Sequence, residues 1–320
     1  MRRIFLLSFV ALLAASTCAH ADGYPSKPVR AIIPFGAGSA TDIIPRIVLD
    51  RLSAALGQPF IVENRAGAGG TIGAAAVVKS EPDGYTLLVN SSAHTIAPAL
   101  YPNLAYDVAK DFVAVGAIGS VPNVLVMSPA RGIKTLKDFV AAAKARPGAF
   151  TFATLGVGSA VYMSAERFRV SAGYEAVHVP FKGGPEALTE VMAGRVDYYF
   201  CPVATALPLI RDGRLVALAV SSPVRSGALP EVPTTLEAGF PDSDYTFWIG
   251  VFAPAKTPKD IVDKLDIEIL KATQVPAVRE KLGALGVELM PMTPVEFDAY
   301  VKAELGRYAS FAQAAGLKPN

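Results

Sequence analysis

Two short glycine-rich segments have the composition of turns that bind anions. The first runs Phe35-Gly36-Ala37-Gly38-Ser39-Ala40-Thr41, and the second runs Leu155-Gly156-Val157-Gly158-Ser159-Ala160. Each lies between a predicted strand and a predicted helix. The first N–H groups of a helix have no partner within it and carry partial positive charge, and glycine lets an anion approach the backbone. Each segment is predicted to hold a carboxylate, although ordinary capping for folding alone is the alternative for either one taken singly.

A third segment, Ser91-Ser92-Ala93-His94-Thr95, follows the third predicted strand and offers hydroxyl groups in place of glycines. His94 is predicted to lie on a loop there, where a ligand could reach it. If the chain has two lobes, the first and third segments belong to one lobe and the second segment belongs to the other. A cleft between them would then face an anionic ligand from both sides.

Common motifs of enzymes and of cofactor-binding proteins are missing from the sequence. Thr41 stands where the dinucleotide fingerprint needs a glycine, and neither a Gly-Lys-Ser/Thr loop nor a Gly-x-Ser-x-Gly elbow occurs. His178 is predicted to be a core or cleft-edge residue, and Cys201 to be a small apolar residue rather than a nucleophile. The sequence contains no cluster with the spacing of metal ligands. We therefore predict no catalytic residue, no cofactor and no metal site.

The first 21 residues have the pattern of a secretory signal peptide. Arg2 and Arg3 precede an apolar run from residue 4 to residue 15, and Ala19-His20-Ala21 offers small residues at a cleavage site. A membrane anchor is the alternative, but about 12 apolar residues fall short of the roughly 20 that span a bilayer. Cleavage after Ala21 would leave Cys201 as the one cysteine, and therefore no intrachain disulfide.

Length and composition indicate a folded protein of about two domains. The chain has 320 residues, of which 52% are hydrophobic and 18% are charged, which is too apolar for a disordered chain. Without Arg2 and Arg3, the 30 basic residues become 28 and equal the 28 acidic residues. This balance argues against nucleic acid as a partner.

Short β-branched runs alternate with longer helical stretches, which predicts an α/β fold with largely parallel sheets. Three strand–helix units are expected before residue 95. Extended residues 112–127 and 245–252 are interpreted as two crossings between lobes. The predicted boundaries are a signal peptide at 1–21, a first lobe from 22–121 and 249–320, and a second lobe from 122–248.

Six sequence blocks resemble one family of solute receptors. The chain is similar to the Bug proteins, the extracytoplasmic receptors of tripartite tricarboxylate transporters, over the whole length that follows the signal peptide. The blocks that carry this resemblance are Tyr24–Arg30, Val62–Gly70, Pro82–Leu88, His178–Gly183, Ala217–Ser221 and Leu229–Thr234.

The resemblance implies a periplasmic binding protein fold of type II, a Venus flytrap with two α/β lobes joined by two crossing strands. It also implies a periplasmic receptor without catalysis, which closes around a small carboxylate and delivers it to the membrane permease. We expect this receptor to be a monomer. A receptor that serves a sensor kinase and a secreted enzyme on a similar scaffold are the alternatives. The family's ligand contacts correspond to Gly36 to Thr41, to Ser91, Ser92 and His94, and to Gly158 and Ser159.

The predicted ligand contacts also include Phe35, Ala37, Ala160, Phe181, Lys182 and Cys201. Of these, Lys182 continues the family's second-lobe loop after the strand that contains His178. The family often has an aspartate after the strand that here ends at Cys201-Pro202. Without this aspartate, the site lacks an acidic group that could bind the amine of an amino acid. We therefore expect a plain mono- or dicarboxylate, aromatic acids included, rather than an amino acid. Phe35, Phe181, Phe200 and Trp248 could form apolar walls for such a ligand, or could belong to the core.

Overall fold

Two β-sheets organise residues 23–317, the part of the chain that the computed structural model describes. The predicted signal peptide lies outside these residues. The described strands are β1 (Val29–Ile33), β2 (Phe60–Asn64), β3 (Thr86–Ser91), β4 (Phe112–Val121), β5 (Asn123–Met127), β6 (Phe150–Thr154), β7 (Ala176–Pro180), β8 (Tyr198–Pro202), β9 (Val216–Val220), β10 (Phe247–Pro254) and β11 (Glu288–Leu289).

Each sheet forms the centre of one lobe. The first sheet has the order β11-β4-β10-β3-β1-β2, and the second has the order β7-β6-β8-β5-β9. Strands β1, β2 and β3 pair in parallel, and so do β6, β7 and β8. The strands next to the crossings, β4, β5 and β10, pair antiparallel with their neighbours. Strand–helix units therefore put the carboxyl ends of their strands at one edge of each sheet, where loops can form a site.

The helices cover both sheets, which confirms the predicted α/β class. They are α1 (Ala40–Leu56), α2 (Thr71–Val78), α3 (Ala93–Leu100), α4 (Val108–Asp111), α5 (Leu136–Ala145), α6 (Ala160–Ala172), α7 (Gly184–Met192), α8 (Val203–Arg211), α9 (Lys259–Gln274), α10 (Pro276–Ala284) and α11 (Pro294–Ala314). No helix within residues 23–317 has the length and apolar character needed to cross a membrane.

Helix α1 shows how the local sequence sets the bounds of an element. It begins directly after the first glycine-rich turn, and its buried face includes Ile44, Val48 and Leu52. It ends at Gly57, whose φ of 70° and ψ of 9° place it in the left-handed region that glycine adopts at little cost. The spacing of apolar residues and the terminal glycine therefore account for this helix, as the sequence predicts.

The chain passes between the sheets at two places. Strand β4 of the first sheet continues through Pro122 into β5 of the second sheet, and residues 221–246 lead back from β9 to β10. The return segment is tied at its two ends, because the Tyr245 N–H donates to the Ser221 carbonyl at 2.7 Å and the Ser221 hydroxyl donates to the Tyr245 carbonyl at 3.1 Å. Two adjacent connections of this kind are typical of a hinge.

One predicted loop is a helix. Residues 93–100 form α3, which starts two residues after β3 ends and packs against α11. The hydroxyl-rich sequence at its start favours a turn or a cap by propensity. Ile96, Ala97 and Leu100 are nevertheless buried, and burial of this apolar face outweighs that preference.

Candidate functional site

The two glycine-rich segments fold into similar turns from their second glycine onward. Gly38 and Gly158 have φ values of 77° and 80°. The serines that follow are both extended N-caps, with φ and ψ of −72° and 160° at Ser39 and of −71° and 153° at Ser159. In each turn the serine N–H donates to the first glycine's carbonyl, at 3.2 Å to Gly36 and 3.1 Å to Gly156. One motif, Gly-x-Gly-Ser-Ala, thus begins α1 in the first lobe and α6 in the second.

These two turns lie on opposite walls of one cleft. A small enclosed space of about 10 Å³ lies where the starts of the two helices approach each other. The first lobe lines it with Ser39, Ala40, Thr41 and Phe247, and the second lobe lines it with Leu155, Val161, Gly184, Tyr199, Pro202 and Thr205. Partial positive charge from two helix N-termini therefore meets in a region shielded from solvent, where it favours an anion.

The two serine hydroxyls differ in what they bind. The Ser159 hydroxyl caps its own helix, because it accepts from the Tyr162 N–H at 3.3 Å and donates to the Gly156 carbonyl at 2.7 Å. The Ser39 hydroxyl makes no hydrogen bond within the described chain, although Ser39 is only 3% exposed. A buried hydroxyl without a partner is costly. The Ser39 hydroxyl is therefore available as a donor at the cleft, whereas the Ser159 hydroxyl holds its own turn in place.

Asp42 holds the first turn in its shape. Its carboxylate accepts from the Gly38 N–H at 2.9 Å, from the Asn64 amide at 2.9 Å and from the Arg46 guanidinium at 3.0 Å. Burial alone would raise the pKa of Asp42, but these hydrogen bonds and the charge of Arg46 leave that pKa below its usual value. The Gly38 N–H thus donates to the ionised Asp42 carboxylate. The first-turn N–H groups of Ala40 and Thr41 are the backbone donors that this turn could offer to an anion.

A larger cavity of about 670 Å³, called here the cleft chamber, lies beside the small space. Leu155 lines both. Three of the predicted ligand contacts, Phe35, Phe181 and Lys182, line the cleft chamber. Its other lining residues are Ala66, Gly67, Ala68, Gly69, Tyr101, Gly156, Val157, His178, Pro180 and Glu186.

The lobes touch across this cleft at positions where only glycine fits. A Cβ atom on Gly36 would lie 2.8 Å from the Lys182 carbonyl oxygen of the other lobe, and one on Gly69 would collide with the Val157 carbonyl oxygen. Beside them the Tyr101 hydroxyl donates to the Val157 carbonyl oxygen at 2.7 Å. The described conformation therefore has the lobes in direct contact around the two turns.

One protein family matches most of this chain. Residues 44–317 match the model of the "Tripartite tricarboxylate transporter family receptor". The chain belongs to this family. Among curated relatives, BugT of Bordetella pertussis is 37% identical over 312 residues, which cover 97% of this chain and 96% of that protein. The resemblance to Bug proteins, which six sequence blocks predict, is confirmed.

Solved structures of the receptor family have the same fold. A protein of R. palustris solved with adipate is 32% identical with a TM-score of 0.89, and the match covers 93% of this chain and 100% of that one. MatC from Rhodopseudomonas palustris, solved with bound malate, is 33% identical with a TM-score of 0.86 over 90% of this chain and 99% of that one. The predicted periplasmic binding protein fold is confirmed, and the family is one of solute receptors.

The hydroxyl-rich segment after β3 lies away from both cavities of this receptor. Ser91 and Ser92 are fully buried, the Ser91 hydroxyl accepts from the Ala93 N–H at 3.4 Å, and the Ser92 hydroxyl is 2.6 Å from the hydroxyl of Tyr245. These hydroxyls thus connect β3 to α3 and to the return segment, residues 221–246. A direct ligand contact from either one has no support in this arrangement.

His94 is placed wrongly by the sequence interpretation. It lies in α3 rather than on a loop, it is 1% exposed, and its ring centroid is 4.8 Å from that of Phe112 and 4.3 Å from that of Phe252. Burial lowers the pKa of His94 to about 3. The imidazole is therefore a neutral core ring in the first lobe and lines neither cavity.

Cys201 and two of the predicted aromatic walls also belong to the interior. The Cys201 thiol is fully buried in β8, 3.9 Å from the Val124 carbonyl oxygen, and burial raises its pKa. Phe200 and Trp248 are buried in the two hydrophobic cores. Adjacent residues of a strand point to opposite faces, and both faces of β8 are covered, so Phe200 and Cys201 are both buried. Cys201 is therefore the small buried residue that the sequence predicts, and a ligand contact from it has no support in this arrangement. Phe35 and Phe181 remain as the predicted aromatic residues at the chamber.

His178 lies at the cleft edge, as one of the two predictions for it states. Its Nε2 atom is hydrogen-bonded to the Thr154 hydroxyl, which also accepts from the Gly156 N–H at 3.0 Å. Burial lowers the pKa of His178, so the ring is neutral near pH 7. It therefore braces the second turn through Thr154. Within residues 23–317, no group of His, Cys, Asp and Glu side chains is arranged to hold a metal ion.

Several chamber residues were not predicted from the sequence. The glycine-rich loop at residues 66–69 lies within a family block and could have been recognised as a cleft loop on that ground. Tyr101 gives no comparable signal, since it follows α3 in a region without a motif. It reaches Val157 only because the two lobes meet.

Proposed function

We propose that this receptor binds a small carboxylate between the two Gly-x-Gly-Ser-Ala turns, with one lobe on each side of the anion. The observation that carries this proposal is the buried, unpartnered hydroxyl of Ser39 at the meeting point of two helix N-termini. A carboxylate there would accept from Ser39 and from first-turn N–H groups. It would replace the missing hydrogen bond and benefit from both helix dipoles.

Two relatives support an organic acid as the solute. Adipate and malate accompany the structures of the R. palustris protein and of MatC, which share the fold over nearly their whole length. Both ligands are carboxylates. The exact acid differs between these relatives, so the shared feature is the anionic group that the turns are suited to bind.

Binding is coupled to closure in this proposal. The two turns belong to different lobes, and the lobes are joined by two adjacent connections. A solute held by both walls therefore binds the closed conformation more tightly than the open one and shifts the equilibrium towards closure. The closed form is the one that the permease subunits of a tripartite tricarboxylate transporter would engage.

The proposed location is the periplasm, reached after cleavage of residues 1–21. Mass spectrometry of the chain recovered from a periplasmic extract should give an N-terminus at Asp22. Recovery of the uncleaved chain in the membrane fraction would contradict this part of the proposal and would favour the anchor alternative.

Isothermal titration calorimetry with matched ligand pairs tests the binding proposal. The chain from residue 22 onward should bind one or more of a panel of mono- and dicarboxylates, and it should not bind the corresponding amides, which match them in shape but lack the charge. Thermal stability should rise with the bound acid alone, because a ligand that binds only the folded state stabilises it. Equal affinity for an acid and its amide would contradict anion recognition at the turns.

A further inference from the structure

The cleft chamber is large for a carboxylate group. Its volume of about 670 Å³ falls in the range of pockets that enclose whole small molecules. The small space between the turns measures only about 10 Å³, roughly the volume that one water molecule needs. Most of a solute anchored at the turns must therefore lie elsewhere in the cleft.

Leu155 marks the path from the turns to the chamber. It precedes the second Gly-x-Gly-Ser-Ala turn and is the one residue that lines both cavities. A solute whose carboxylate lies at Ser39 would pass Leu155 and place its body in the cleft chamber. The two cavities therefore adjoin at Leu155, so a solute held at the turns has the cleft chamber as its nearest larger space.

Apolar groups form the inner walls of the chamber. Phe35 comes from the first lobe and is 4% exposed, and Tyr101 lies beside it in the same lobe. Phe181 and Val157 face them from the second lobe, and both pack on the hydrophobic core. Contact with such walls favours a hydrocarbon chain or a ring.

Charged side chains of the chamber are confined to its rim. Lys182 and Glu186 line it, are exposed and carry opposite charges. Among the chamber-lining residues of the second lobe, the remaining titratable side chain is His178, whose pKa is lowered by burial and whose Nε2 atom is hydrogen-bonded to the Thr154 hydroxyl. Lys182 is the one cation among these lining residues, and it is exposed, whereas Phe35 is only 4% exposed. A second carboxylate beside Phe35 would therefore lose its hydration without a cationic partner in contact, which is unfavourable.

We propose that the chamber selects carboxylates with an apolar body, aromatic rings included, and that Phe181 and Phe35 are its specificity-determining residues. This inference depends on the proposed function, because it takes the turns as the anchor for the carboxylate. It goes further in naming the solute class. Monocarboxylates with a hydrocarbon tail are favoured over dicarboxylates of equal length.

Hexanoate and adipate test the chamber directly, since they have the same number of carbon atoms and differ in the second carboxylate. Calorimetry should give a dissociation constant about tenfold lower for hexanoate than for adipate. The Phe181→Ala variant should bind 3-phenylpropionate about tenfold more weakly than the unaltered chain does, because an aromatic wall is lost. Its affinity for propionate should change little, because propionate does not reach far into the chamber.

Val177→Ala is the matched control for Phe181→Ala. Val177 lies on β7 close to Phe181, but its side chain is 51% exposed and lines neither cavity. This variant should bind all four acids as the unaltered chain does, which separates loss of the wall from a general effect on the second lobe.

The outcomes distinguish the chamber from the anchor. If propionate binds, but adipate binds as tightly as hexanoate or Phe181→Ala keeps full affinity for 3-phenylpropionate, the chamber proposal is overturned and the receptor proposal stands. If other acids of the wider panel bind but neither hexanoate nor 3-phenylpropionate does, the chamber proposal alone is overturned. If no acid of the panel binds the unaltered chain, the anchor at the turns is overturned, and the chamber proposal with it.

Discussion

The hydroxyl of Tyr101 donates a hydrogen bond of 2.7 Å to the carbonyl oxygen of Val157, and this bond joins the two lobes of the receptor. Tyr101 follows α3 of the first lobe, and Val157 lies within the second Gly-x-Gly-Ser-Ala turn. A Cβ atom on Gly158 would come within 2.6 Å of the Tyr101 ring, so the ring lies in close contact with the turn that its hydroxyl binds. Tyr101 therefore bonds the first lobe directly to the second-lobe turn of the proposed anion site.

Tyr101→Phe should weaken solute binding about fivefold, because it removes one hydrogen bond that forms only between the lobes. The aromatic ring remains, so packing against Gly158 is preserved. Calorimetry with the preferred acid measures the effect. Tyr106→Phe is the control, since Tyr106 is buried in the first lobe beside Phe112. Equal affinities for the two variants would contradict a role of the Tyr101 hydroxyl in closure.

Gly36→Ala should prevent full closure. The new methyl group would lie 2.8 Å from the Lys182 carbonyl oxygen, a backbone atom of the other lobe that cannot move without separating the lobes. We expect solute affinity to fall roughly tenfold, in line with the cost of overpacking. Small-angle X-ray scattering with solute present should give a larger radius of gyration than for the unaltered chain.

Gly183→Ala is the control for that experiment. Gly183 also lies at the cleft rim, but an added Cβ atom there would meet only the Pro185 ring, at 3.8 Å, which is ordinary van der Waals contact. Its affinity and its radius of gyration with solute should match those of the unaltered chain. If Gly36→Ala behaves in the same way, close approach at Lys182 is not required for closure.

Local sequence predicts the elements of this fold better than it predicts the contacts between its lobes. The apolar spacing and Gly57 define α1, and the repeated Gly-x-Gly-Ser-Ala motif predicts two like turns, because these features act within a few residues. Tyr101 and Val157 are far apart in the chain, and only the arrangement of the lobes brings them together. The serines before His94 favour a turn, so the local sequence predicts a loop there. Tertiary burial of the apolar residues that follow His94 produces α3 instead.

The buried His94 should make the stability of the receptor depend on pH. The unfolded chain binds a proton at this residue near the usual pKa of 6.5, whereas the folded chain does so only near a pKa of about 3. Stability contributed by the neutral ring is therefore complete above pH 6.5 and is lost as the pH falls towards 3. Between pH 7 and pH 4 the loss amounts to about 3 kcal/mol.

Urea unfolding of His94→Leu at pH 7 and at pH 4 checks this assignment. The variant cannot bind a proton at this position, so its free energy of unfolding should fall less between the two pH values. Phe252→Leu, a change in a ring that contacts His94, should destabilise the chain equally at both pH values. A His94→Leu variant with the same pH dependence as the unaltered chain would assign the acid sensitivity to other groups.

The two serines of the repeated turn should respond in opposite ways to the same substitution. Ser159→Ala removes a helix cap and should lower the stability of the solute-free chain by about 1 kcal/mol. Ser39→Ala removes a hydroxyl without a partner in the described chain, so stability should change little, or rise. Solute affinity should fall roughly tenfold in Ser39→Ala, because a hydrogen bond to a carboxylate is lost.

Urea unfolding and calorimetry on both variants give the comparison, in which each variant is the control for the other. Loss of stability without loss of affinity in Ser39→Ala would assign its hydroxyl to the fold and remove the anchor from the first turn.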